Sequence, residues 1–188
     1  MKINERSLEK SEELWKEAQE NILSGCQLYS KGPETHIQGV SPIYIDHGKD
    51  GHVWDVDGNE YIDYDMGLGP ILLGYQYKAV DDAVIAQLRR GMGYSLVAPE
   101  EVEYAKLCVK HIPSAGKVRF LKTGSSATEA AVRIARSYTG RKHIIRGEYH
   151  GWHEWTTAAE SVRQGGILPE ARKFIHKFDY NDLAKVEE

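Results

Sequence analysis

Four residues carry the chemistry legible in this chain: Gly124 and Ser125 in a Gly-Ser turn, and Tyr149 and His150 in a Tyr-His-Gly loop. The turn stands between an apolar run and a helical pattern. A strand that feeds a helix N-terminus leaves backbone N–H groups pointing outward, where the helix dipole favours an anion. Gly124 permits close backbone approach, and Ser125 adds a hydroxyl to its amide. Tyr149 offers a ring that can lie over a flat heterocycle whose phosphate sits at Gly124 and Ser125. The plain alternative for the first pair is a strand-turn-helix junction that holds nothing. For the second pair it is core packing of Tyr149 and a structural hydrogen bond from His150 to backbone.

The elements that must position these residues occupy 117–155, KVRFLKTGSSATEAAVRIARSYTGRKHIIRGEYHGWHEW. This stretch predicts a short apolar strand, the Gly-Ser turn, a helix, a second strand over HIIR and the aromatic-His-Gly loop. Ser126 through Glu129 spell a capping box, SATE, which sets the helix start at Ser126 and leaves Gly124 and Ser125 in the turn ahead of it. Ala127, Ala130, Ala131, Ile134, Ala135 and Tyr138 recur at helical spacing and predict the face that lies on a sheet, with Arg133 and Arg136 pointing elsewhere. The HIIR strand delivers Tyr149 and His150 to the same sheet edge as the turn, and ligands of open α/β folds collect at the carboxyl ends of strands. His150 with His153 invites a metal, but the glycine between them argues against one helical face and no third ligand is in view, so no metal is expected.

Ahead of this stretch, residues 7–23 predict a helix with Ser11, Leu14, Trp15, Ala18 and Ile22 at spacings of three and four, ended by Ser24 and Gly25. Residues 42–64 read as a small antiparallel meander with GKDG and VDGN turns. Asp55, Asp57 and Asn59 resemble the start of a calcium loop, but the glycine falls at the fourth place instead of the sixth and the distal Glu is missing, so a hairpin turn is expected. MGLGPILLGY, residues 66–75, does not fit G-x-G-x-x-G and reads as a buried crossing between subdomains. Helices follow over 78–90, with Val80, Ala83, Val84 and Leu88 on one face and Gly91 as the stop, and from Pro99 onward. The second carries Val102, Ala105, Cys108, Val109 and Ile112 on a buried stripe and ends before Pro113. Beyond the central stretch come a loop to about Pro169, a KFIHKF strand, and a helix capped at Asn181 and Asp182.

Composition narrows the classes of function. The chain has 188 residues, 41% of them hydrophobic, and a formal net charge of −4. So mild a balance creates no general field for nucleic acid or anionic lipid. No apolar run is long enough to span a bilayer, and MKINERSLEKSEELWKEAQE lacks the greasy stretch of a signal peptide. A cytoplasmic protein with small-molecule partners, and with neither nucleic acid nor membrane among them, is expected. Cys26 and Cys108, far apart and without CxxC spacing, argue against a disulfide framework and a structural zinc site.

Taken in order, SEELWKEAQENILSG, VWDVDGNEYIDYDMGLGPILLGY, APEEVEYAKLCVKHIPSAGKVRF and the central stretch resemble the class-III aminotransferases. These are fold-type-I enzymes that use pyridoxal 5'-phosphate (PLP), and they include glutamate-1-semialdehyde aminomutase. The resemblance implies an α/β fold: a small α+β segment over 1–65 and the truncated first part of a large PLP-binding domain over 66–188. It implies that the amides of Gly124 and Ser125 hold the cofactor phosphate, and that Tyr149 stacks on the pyridine ring with His150 beside it. The implied activity is amino transfer between an amine and a keto or aldehyde acceptor, in a homodimer. Family members often carry an acidic residue where this chain has Ser126, so a local charge is lost here. Mutase-like members tend to read YHGH where this chain reads YHGWHEW, which favours a transaminase over an aminomutase. The cofactor-bearing lysine, the carboxylate that pairs with the pyridine nitrogen and the substrate-binding arginine all lie downstream of the YHG loop in the family. Neither Lys122 nor Lys185 stands in that lysine's context. The resemblance therefore implies an N-terminal fragment that is inactive alone. An aminomutase fragment and a non-catalytic half that pairs with another chain are the alternatives.

Overall fold

The structure, a computed structural model, describes residues 6–148, 151–157 and 165–187. The chain forms two compact units, Met1–Leu96 and Val97–Glu188.

In the first unit, helix α1 spans Glu9–Asn21 and an antiparallel meander follows as β1 (Ile45–Lys49), β2 (His52–Asp55) and β3 (Glu60–Ile62). The helix has no cap of its own, because Leu8 stands at its N-cap. Asp57, from the β2–β3 turn, supplies one: its carboxylate accepts the Lys10 amide at 2.8 Å, the Ser11 amide at 3.1 Å and the Ser11 hydroxyl at 2.7 Å. Two amides that a helix start leaves unpaired are thereby satisfied from 47 residues away. The neighbouring Asp55 is 2% exposed. Its carboxylate accepts the amides of Asp57 and Asn59, the Asn59 side-chain amide and the Tyr61 hydroxyl, at 2.7 to 3.1 Å. A buried carboxylate so fully bonded is a structural joint, and the expected hairpin turn is what Asp55, Asp57 and Asn59 build. At the other end of α1 the chain doubles back through Ser24 (φ 58°) and Gly25 (φ 68°), and a β-carbon on Gly25 would stand 2.5 Å from the Trp15 ring.

The 66–75 segment departs from expectation. Tyr75 anchors its end, exchanging backbone bonds with Asp50 at 2.8 and 3.0 Å and donating its hydroxyl to Asp63 at 2.6 Å. Leu68, Leu72 and Leu73 before it are exposed, Leu72 at 87%, so the crossing is not buried in this chain. Helix α2, Lys78–Arg90, ends at Gly91 (φ 105°) as its sequence predicts. Val80, Val84 and Leu88 on its apolar face are half-exposed.

In the second unit α3 spans Pro99–His111, α4 Gly124–Thr139, α5 Glu154–Thr157, α6 Pro169–Arg172 and α7 Leu183–Glu187. Strands β4 (Ile144–Arg146) and β5 (Ile175–Lys177) pair in parallel, Ile144 opposite Ile175 and Arg146 opposite Lys177. A parallel pair needs a long crossover, and the chain between these strands supplies it. The strand expected ahead of α4 does not form: Phe120 stacks on Tyr104 of α3 at 4.9 Å, but the segment makes no ladder among the described residues. The α3 stripe is likewise only partly covered, with Val102 and Ile112 about half-exposed. Asp182 caps α7 as expected, accepting the Lys185 amide at 3.1 Å.

The face of α4 is the clearest correction. Ile134 is 65% and Tyr138 91% exposed, so the predicted apolar face is open. Ser125, Thr128, Glu129, Val132 and Arg136 form the covered face, with Val132 buried. Their spacing of three and four places them together on the opposite side of the helix.

Candidate functional site

The site is built on the first turn of α4. Thr123 is the N-cap: its Oγ1 accepts the Ser126 amide at 3.1 Å and its carbonyl accepts the Ala127 amide at 3.0 Å. The helix thus starts at Gly124, ahead of the SATE frame that the sequence suggests. Two overlapping cap frames compete here, and the earlier one gains helical residues at the start while freeing Glu129 from the return bond that a capping box needs. A Thr three residues before a Ser is a weaker signal than S-x-x-E, which is why Thr123 escapes a sequence reading.

With Ser126 and Ala127 engaged, the Gly124 and Ser125 amides are the pair at the helix end that no hydrogen bond among the described residues uses. No acidic side chain lies in the first turn to offset the dipole. A β-carbon on Gly124 would meet nothing within 4 Å, so the space over this end is open to a ligand. Gly124 and Ser125 have moved from the turn into the helix, but their donors face outward as an anion seat requires.

Gly151 brings the loop to the seat. It has φ 115°, and a β-carbon there would fall on the Ser125 hydroxyl and within 3.2 Å of the Ser125 Cα. The turn after it is internally bonded. The Thr156 hydroxyl donates to the Gly151 carbonyl, while the His153 carbonyl accepts the amides of Thr156 and Thr157 at 3.0 and 3.2 Å. Thr156 is 1% exposed. His153 Nδ1 lies 3.7 Å from Glu129 Oε2. Glu129 enters the sequence pattern only through the SATE frame, and Thr156 carries no sequence signal. Tyr149 and His150 lie outside the described residues. Behind the loop, buried Arg146 ends β4 and donates to the Gly147 and Glu148 carbonyls at 2.9 and 2.8 Å.

Comparison with known proteins adds four matches. The family model described as aminotransferase class-III matches residues 35–185. The 3-aminobutyryl-CoA aminotransferase of Cloacimonas acidaminovorans is 41% identical over 94% of this chain and 42% of its own length. The glutamate-1-semialdehyde 2,1-aminomutase of Saccharolobus islandicus is 36% identical over 94% of this chain and 43% of its own. Among solved structures, the FumI protein of Sphingopyxis sp. MTA144, determined in a PLP form, superposes with a TM-score of 0.86 at 29% identity, over 95% of this chain and 42% of that one. The chain spans less than half the length of the relatives it matches. The α/β architecture is that of the fold-type-I transferase core, truncated relative to those proteins.

Proposed function

Because this chain belongs to the class-III aminotransferase family, we propose that it supplies the cofactor-phosphate seat of a PLP-dependent aminotransferase that moves an amino group between an amine and a keto or aldehyde acceptor. One observation carries the proposal: two unspent amides at the start of α4, with open space over them and the Gly151 loop laid against Ser125. PLP, when bound, supplies the electron sink for amino-group chemistry. Gly124 and Ser125 donate their amides to its phosphate, and Ser125 adds a hydroxyl. The family resemblance assigns Tyr149 to stack on the ring, with His150 beside it; both lie outside the described residues. Thr123 holds the helix start so that these donors stay aligned.

Residues 1–65 then belong to the small domain of the intact enzyme and 66–188 to its large domain. The half-exposed apolar side chains of α2 and the open face of α4 support a reading in which further chain, or the second subunit of a homodimer, covers them. Neither Lys122 nor Lys185 stands in the family's cofactor-bearing context, which supports a cofactor-holding role for the residues named here. An aminomutase is the rival, favoured by the Saccharolobus relative, and YHGWHEW in place of YHGH supports the transaminase.

The test is equilibrium binding of PLP followed by borohydride treatment. We expect weak association that needs the phosphate and leaves no cofactor fixed to a lysine. Covalent fixation at one specific lysine would overturn the binding-only reading.

A further inference from the structure

Ser125 and Glu129 are four residues apart in α4 and share one face. The loop meets that face twice: Gly151 packs on Ser125, and His153 Nδ1 approaches Glu129 Oε2 to 3.7 Å. The two contacts differ in kind. The first is steric and indifferent to pH, whereas the second is an ion pair only when the imidazole is protonated. Both partners are mostly covered, 25% and 37% exposed, so solvent screens them less than it would a surface pair.

From this geometry we infer that Glu129 and His153 are a positioning pair that pins the loop on α4 and tightens the anion seat when His153 is protonated. The inference rests on the seat proposed above. Its mechanical link is the hydrogen bonding of the turn. The His153 carbonyl organises the start of α5 by accepting from Thr156 and Thr157, and Thr156 in turn bonds the Gly151 carbonyl. A displacement of His153 therefore reaches Gly151, and through it the Ser125 side of the seat.

The other charged groups around this turn are otherwise engaged or on other faces. The Glu154 carboxylate accepts the Leu168 amide at 3.2 Å, and Arg172 of α6 donates to the Ile167 carbonyl at 3.3 Å. Glu170 of α6 and Arg133 of α4 are exposed. Among the described residues Glu129 is the carboxylate that reaches His153.

The experiment uses the full chain and two readouts. The first is hydrogen-exchange protection of the Thr156 and Thr157 amides at pH 5.5 and pH 8 in wild type, Glu129→Gln and His153→Gln. The second is the affinity for sulfate, whose charge is constant between pH 5.5 and 8. We expect Glu129→Gln to lower protection of both amides at pH 5.5 by about two- to fivefold. We also expect it to abolish an about two- to fivefold gain in sulfate affinity on going from pH 8 to pH 5.5. His153→Gln, which cannot be protonated, should lose that gain as well. Unchanged protection in Glu129→Gln at pH 5.5 overturns the pair even if sulfate binds. Lowered protection with the pH gain intact overturns the positioning role. Absence of sulfate binding in every variant strikes the seat itself, while the exchange still reports on the pair.

Discussion

Gly151 stands where no other residue fits against Ser125: its φ is 115°, and a β-carbon would reach within 3.2 Å of the Ser125 Cα. The close approach joins the loop that follows β4 to the first turn of α4, which are 26 residues apart in sequence. Gly151→Ala combines an unfavourable backbone conformation with a clash, and undocking the loop should cost about 1–3 kcal/mol. Hydrogen exchange at the Thr156 and Thr157 amides should accelerate, and anion affinity should fall more than global stability does. Unchanged protection at those two amides would show that the contact does not hold the loop.

Gly124 offers the complementary substitution. It takes ordinary helical backbone, and a β-carbon there meets no protein atom within 4 Å. Gly124→Val should therefore leave the melting temperature within a few degrees of wild type while filling the space over the free amides. PLP affinity should drop by about tenfold or more, the loss of one to two charge-assisted bonds. Calorimetry and an absorbance titration check the two halves of the prediction separately.

The Asp57 cap predicts an acid-sensitive joint in the first unit. Partial desolvation works against ionisation of Asp57, but the Ser11 hydroxyl and the Lys10 and Ser11 amides outweigh it and hold the carboxyl below its usual range. A depressed carboxylate pKa means that the contribution is present above the unfolded value near 3.9 and is lost as pH falls through the folded one. Asp57→Ala should cost about 1 kcal/mol at neutral pH, in line with a lost N-cap, and the deficit should shrink on acidification. Urea denaturation at pH 7 and pH 3 measures both.

At alkaline pH the relevant couple is Tyr75 and Asp63. The 2.6 Å hydrogen bond to Asp63, aided by desolvation, pushes the Tyr75 phenol up to about 12. The neutral phenol is favoured in the folded state, so its stabilisation is whole below about pH 10 and lost as pH rises toward 12. Asp63→Asn should return one tyrosine to the ordinary titration range in ultraviolet absorbance, and should flatten the alkaline loss of stability.

How far the sequence reaches is clear from these residues. Helix ends announced by Gly91, Pro99 and Asp182 stand where their residue types put them, because capping is local chemistry. The cap on α1 was hidden because Asp57 comes from another element. The α4 face was misread for a different reason. Ile134 and Tyr138 follow an apolar period that marks surface suited to burial, while the contacts in this chain fall on Ser125, Glu129 and Val132 opposite. The short apolar strand expected ahead of the Gly-Ser turn failed similarly, since a β pattern has meaning only beside a partner strand. Gly124 and Ser125, proposed for the seat, stand in the first turn of α4 instead of ahead of it, because the Thr123 cap frame is used and not the SATE frame.

The most direct measurement of the central claim compares PLP with pyridoxal, which lacks the phosphate, for binding to wild type and to Gly124→Val. The account predicts that wild type prefers PLP by at least about tenfold and that the preference collapses in Gly124→Val, with the fold intact by circular dichroism. Equal affinity for the two compounds in wild type, or an undiminished preference in Gly124→Val, would contradict a phosphate seat at the start of α4.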